Sequence, residues 1–286
     1  MILDLFKTKP VVEDSVHNWI ADTYSWAITH LNGDFLKNES QLILPTNDFF
    51  PGRVTSVHEM AQQVFSQTIK HAGMENWPLV LVEPHRASTN LIPKLATSRL
   101  LRGPSALVTV ANTDGYGSGN AVEVSYGGES LSKENAGNNK VIEISYNPSQ
   151  VNQPQDLVSS FTQILASLLV MNAPELPPGG KEYTSQTIDL VACFMGFGVI
   201  FSNTAFQFKG GCGSCNNRQA NRQSTLTELE TVYCLAMFCK LKNIDKNKVL
   251  PHLKGHLKSS YKGAVKQLNQ SNSECEASAL LSLIKQ

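Results

Sequence analysis

Residues 190–201 read Leu-Val-Ala-Cys-Phe-Met-Gly-Phe-Gly-Val-Ile-Phe, the most apolar stretch of the chain, with Asp189 before it and Ser202-Asn203 after it. The run falls short of the roughly 20 residues that a bilayer-spanning helix needs, so it predicts a helix buried in protein, within a longer helical segment over 183–201. No membrane span is expected. A helix that is apolar all round has to be enclosed by other elements. Helical periodicity over 155–171, 225–242, 248–268 and 274–284 supplies them, so nearly everything after residue 150 reads as helix.

Before residue 150 the pattern is different. Residues 13–31 are amphipathic, with Val16, Ile20, Tyr24, Ala27 and Ile28 on one face, and 55–74 read as a helix with Thr55 and Ser56 as N-cap candidates ahead of Glu59. Residues 41–44 form a short apolar run stopped by Pro45, and strand-like runs follow at 79–82, 106–110, 121–126 and 141–146. The last two alternate in polarity and are separated by Gly127-Gly128 and a polar stretch ending in Asn138-Asn139, which predicts antiparallel pairing of these two. Strands first and helices after predict an α+β fold. Its N-terminal mixed α/β part, 1–150, holds a small, largely antiparallel sheet; its helical part is 151–286, and the two form one compact unit.

Of 286 residues, 41% are hydrophobic and 17% charged, with 24 basic against 24 acidic side chains, which excludes collagen-like and disordered chains. Zero net charge gives no long-range attraction to nucleic acid, so none is expected as a partner. Six irregularly spaced cysteines do not form a disulfide framework in a chain this long. Residues 1–10 include Asp4 and lack an apolar run of signal-peptide length, so the expected location is the cytoplasm.

Motifs that chemistry could use are few. Gly115-Tyr116-Gly117-Ser118-Gly119 is followed by strand-like Val122-Glu123-Val124, whereas a phosphate cradle needs a helix there, so it reads as a turn. His58-Glu59 begins an HExxH-like pattern, but position 62 is Gln. His252 and His256 have i,i+4 spacing but fall opposite the apolar side formed by Leu250, Leu253, Leu257, Tyr261 and Leu268 of the predicted helix, and Lys254, Lys258, Lys262 and Lys266 line a flank. Both groups read as solvated. Cys212-Gly213-Ser214-Cys215 lies in a polar loop, and no second pair or nearby histidine completes a zinc site. A plain loop is the simplest reading; a labile disulfide or a zinc shared between chains stays open.

The segment 155–171 carries an apolar face, Leu157, Phe161, Ile164, Leu165 and Leu168, and a polar stripe of Ser159, Ser160, Gln163 and Ser167. The stripe either faces water or lines a cleft. Asp189, just before the apolar run, needs hydrogen-bond partners if buried.

Three segments carry a family resemblance: Ile43-Leu44-Pro45-Thr46-Asn47-Asp48-Phe49-Phe50-Pro51; His71-Ala72-Gly73-Met74 with Trp77-Pro78; and 187–201 with the following Ser202-Asn203-Thr204-Ala205-Phe206. With the helix at 155–171, they resemble a group of uncharacterised bacterial proteins with a zincin-like, minigluzincin-type metallopeptidase core. The resemblance implies HExxH on the first helix and, on the second, a glutamate one turn before a Thr-Asp pair. Here that pair is Ile188-Asp189. On this alignment the metal histidines fall at Gln163 and Ser167, the general base at Ile164 and the third ligand near Ser185. Amide and hydroxyl groups are poor zinc ligands, and isoleucine cannot accept a proton from water. The resemblance therefore implies a degenerate member without metallopeptidase activity and without a cofactor. Ser160, Gln163, Ile164, Ser167, Ser185 and Asp189 would line a vestigial cleft able to hydrogen-bond a peptide, a protein partner or a small ligand, or else the polar stripe and Asp189 satisfy each other and the cleft is closed. The alternative is a metal- or redox-dependent enzyme using Cys212 and Cys215.

Overall fold

The structure, a computed structural model, describes residues 10–52, 56–84, 95–110, 141–205 and 222–270. Helix α1 (Asp14–His30) buries Ile20, Tyr24, Ala27 and Ile28, the face its periodicity predicts. Helix α2 (Gly33–Asn38) is started by Asn32, whose side chain accepts from Phe35 N. Helix α3 (Val57–Ala72) opens on a full capping box: Ser56 bonds the Glu59 backbone and the Glu59 carboxylate bonds back. That use of Glu59 disposes of the HExxH-like reading, and His58 instead lies 3.4 Å from the Tyr146 hydroxyl.

Four short strands follow among the described residues, β1 (Leu79–Val82), β2 (Leu95–Thr97), β3 (Val108–Val110) and β4 (Ile142–Ser145). Strands β2 and β3 pair antiparallel. Strand β4 pairs with β1 in parallel, Leu79 opposite Ile142 and Val82 opposite Ser145. The expected antiparallel partner at 121–126 lies outside the described residues; among those described there is one ladder of each kind. The alternation of 141–146 matches its burial, since Ile142 and Ile144 are buried and Glu143 and Ser145 exposed.

The helical part begins with α4 (Pro154–Met171), with proline at its first turn. Then come α5 (Thr184–Ala192) and α6 (Gly198–Thr204), joined by a wide π turn over 193–197. The predicted single helix over 183–201 is therefore broken. At the break Gly196 has φ 102°, its carbonyl accepts from Ile43 N at 2.9 Å, and a Cβ on it would collide with the Gln41 carbonyl oxygen. The run 41–44 lies across the helix at this point, and only glycine permits the approach.

Helix α7 (Glu228–Leu241), capped by a second box from Thr227 and Glu230, is buried on nearly every side and covers α6. Helices α8 (Lys246–Val249) and α9 (Leu257–Gln270) replace the single helix predicted over 248–268. Pro251 sits in an intervening 3-10 turn and Leu253 is extended. Asn203 holds the break, donating to the His252 carbonyl and accepting from Lys254 N, each at 2.9 Å. His252 and His256 therefore do not share a helix, and His256 Nε2 lies 2.9 Å from Glu228 Oε1.

One hydrophobic core runs from Val12 to Leu268 and joins both parts of the chain. Residues 190–201 are buried throughout, with α1, α4 and α7 around them; Tyr24, for instance, meets Phe194 edge to face. Residues 180–204 are, among the described residues, the one stretch long and apolar enough to cross a membrane, and 78% of its most apolar window is enclosed by the protein itself. The mixed architecture is α+β, with the helices supplying the core.

Candidate functional site

Spacing on two packed helices creates the site. Gln163 and Ser167 stand one turn apart on α4, and Ser185 and Asp189 one turn apart on α5. Where these faces meet, a groove of about 390 Å³ opens, lined by Gln163, Ile164, Ser167 and Leu168 from α4 and by Ser185 and Ile188 from α5. Its far wall is the segment leading into α7, through Gln223 and Thr225.

Asp189 lies beneath this groove with its side chain fully enclosed. Its Oδ1 accepts from Arg222 Nη1 at 2.8 Å and from Gln163 Nε2 at 2.9 Å. Its Oδ2 accepts from Thr225 N at 2.8 Å and Leu226 N at 3.3 Å. The Thr225 hydroxyl lies 2.9 Å from the same oxygen and 2.8 Å from the Ser185 carbonyl, so one proton serves two acceptors. A carboxylate this far from water needs opposite charge and several donors, and it has both. Its lone pairs are therefore committed to holding residues 222–226 against α4 and α5. The Arg222 guanidinium is as deeply enclosed and sits 4.1 Å over the Phe201 ring. Its backbone N–H serves Asp156, whose carboxyl is raised by burial and drawn back by that bond.

Five of the six residues expected at the cleft are brought together: Gln163, Ile164, Ser167 and Ser185 on its walls, and Asp189 below. Ser160 is not. Its hydroxyl accepts from Gln150 Nε2 at 2.8 Å, away from the groove, and Ser159 turns inward to Thr204 at 2.9 Å. Gln163 donates one N–H to Asp189 and the other to the Gln223 carbonyl at 3.0 Å, which leaves its amide oxygen as an acceptor. Ser167 makes a long contact, 3.5 Å, to Met171 Sδ. Arg222, Gln223 and Thr225 were not found by sequence reasoning, and no local pattern marks them.

The groove's donor set does not suit zinc. It offers the amides of Gln163 and Gln223 and the hydroxyls of Ser167, Ser185 and Thr225 where imidazole and carboxylate would be needed, and the carboxylate nearby is neutralised by Arg222. Among the described residues no three His, Cys, Asp or Glu side chains converge as a metal-binding group. Cys193, Cys234 and Cys239 are buried free thiols. Burial raises the pKa of each, to about 11 at Cys239, so they stay protonated and act as packing groups. Cys212 and Cys215 lie outside the described residues, as does the glycine-rich stretch 115–119. Compared with protein-family models, with curated proteins and with solved structures, the chain matches none of them.

Proposed function

We propose that this chain is a zincin-like protein without metallopeptidase chemistry, and that the groove between α4 and α5 binds an uncharged, extended peptide or protein segment. The observation that carries the reading is the make-up of the groove: hydroxyls and amides from Gln163, Ser167, Ser185, Gln223 and Thr225 alternate with Ile164, Leu168 and Ile188, and among the described residues no ionisable side chain lines it. Backbone amides and small apolar side chains are what such a surface complements. The buried Asp189–Arg222 pair supplies a rigid floor without contributing net charge.

Two experiments separate the halves of the proposal. Selection from a random-peptide library on the purified chain is expected to return uncharged sequences, and Ser167→Arg, which fills the groove with a charged side chain, should weaken their titrated affinity at least ten-fold. Selected peptides that bind the variant equally well would place binding elsewhere. For the frame, the triple variant Gln163→His, Ser167→His, Ser185→Glu is expected to take up about one zinc per chain by elemental analysis. A folded triple variant that holds no zinc would end the zincin-like reading and leave the peptide reading standing.

A further inference from the structure

The surface of the groove continues past Ser167. One turn further on, Met171 is the last residue of α4 and is 64% exposed. Its Sδ lies 3.5 Å from Ser167 Oγ, so its side chain rests against a residue that lines the groove. A thioether is flexible and polarisable, and it accommodates aliphatic and aromatic side chains of varied shape. Gln163 stands at the other end. Both hydrogens of its Nε2 are committed, one to Asp189 and one to the Gln223 carbonyl, which fixes the amide in place. Its Oε1 has no partner among the described residues, lies on the groove, and can only accept.

Gln163, Ser167 and Met171 form one row along α4, one residue per turn. At 1.5 Å per residue the row has a spacing of about 6 Å and a length of about 12 Å. An extended chain turns every second side chain to the same face, about 6.6 Å apart, so its first, third and fifth residues span about 13 Å and meet the row in step. A helical ligand needs about eight residues to cover the same length, with its side chains grouped at intervals of three and four. None of the three side chains in the row carries charge, and the carboxylate beneath them is neutralised by Arg222.

We infer, on the peptide-binding reading of this groove, that the bound segment is extended and places an amide or hydroxyl that donates to Gln163 Oε1 four residues away from an apolar side chain seated on Met171, with a small residue over Ser167 between them. The test uses the capped peptide Asn-Thr-Ser-Thr-Leu and its reverse, titrated calorimetrically against the full chain. One of the two orders should bind saturably. Omitting one threonine, which turns the end residues to opposite faces, should weaken that peptide at least five-fold, and aspartate in place of asparagine should do the same. Alanine in place of leucine should weaken binding at least three-fold to the parent and leave it unchanged on Met171→Ser, a replacement at an exposed position. Equal binding of the shortened or the aspartate peptide, or the same loss on Met171→Ser as on the parent, would overturn the spacing while leaving groove binding in place if Ser167→Arg still weakens it. If neither order binds while library-selected peptides do, the spacing alone falls; if none binds, the groove reading falls with it.

Discussion

Asp189 and Arg222 meet with neither side chain reachable by water, and such a pair responds unequally to single and joint replacement. Asp189→Ala leaves a guanidinium buried without its counter-charge and frees the backbone donors of Thr225 and Leu226, so it is expected to cost about 3–5 kcal/mol in urea unfolding. The double variant Asp189→Leu, Arg222→Met should cost less than that single change; a double variant at least as unstable would show that the ion pair is not what holds residues 222–226. His71 makes a separate prediction. Burial lowers its pKa from 6.5, against the raising effect of the Phe49 carbonyl, with Lys70 and Glu75 as lesser opposing influences. The unfolded chain therefore takes up the proton first as pH falls. The stability that the neutral ring provides is complete above pH 6.5 and disappears as pH drops through the lowered folded value. Urea midpoints measured from pH 7.5 to 5 should fall more steeply for the parent than for His71→Gln. The contrast between Asp189 and its partners also shows what sequence could and could not reveal at this scale. Gln163 and Ser167 were legible because helical spacing fixes a shared face, and Asp189 because it precedes the apolar run, whereas Ser185 was named only through the family resemblance. Arg222 and Thr225 reach Asp189 from more than thirty residues downstream, a distance at which no periodicity operates.

Among the elements, those that were readable had local causes. The Ser56–Glu59 box begins α3 as its cap candidates predict, and the apolar faces of α1 and α4 follow their period; the Thr227–Glu230 box that begins α7 is as local but went unread. The break at Gly196 was not readable, since it is imposed by the distant Ile43 and Gln41; the break at residues 252–254 is held by Asn203 but had a local signal that went unread, Pro251, which a helix interior does not accommodate. Gly196→Ala isolates the effect of one such break. A Cβ there combines a left-handed backbone, about 1–3 kcal/mol by itself, with a collision against the Gln41 carbonyl. The variant is expected to lose more stability than Gly255→Ala, where a Cβ meets nothing within 4 Å. Equal chemical unfolding curves for the two alanine variants would mean that 41–44 does not press on the helix as described.

For the whole molecule, the order of synthesis matters as much as the final arrangement. The chain completes its most apolar stretch, residues 190–201, well before α7 emerges to cover it. Until then that stretch presents to its surroundings a surface that the finished protein never exposes. A fragment ending at residue 205 lacks both α7 and α9 and is expected to partition into the insoluble fraction on expression, while the full chain stays in the supernatant; a fragment that stays dispersed would show that α1 and α4 suffice as cover. If it does precipitate, the newborn protein depends on a chaperone, or on the ribosome exit tunnel, for the interval in which its own centre has no outside.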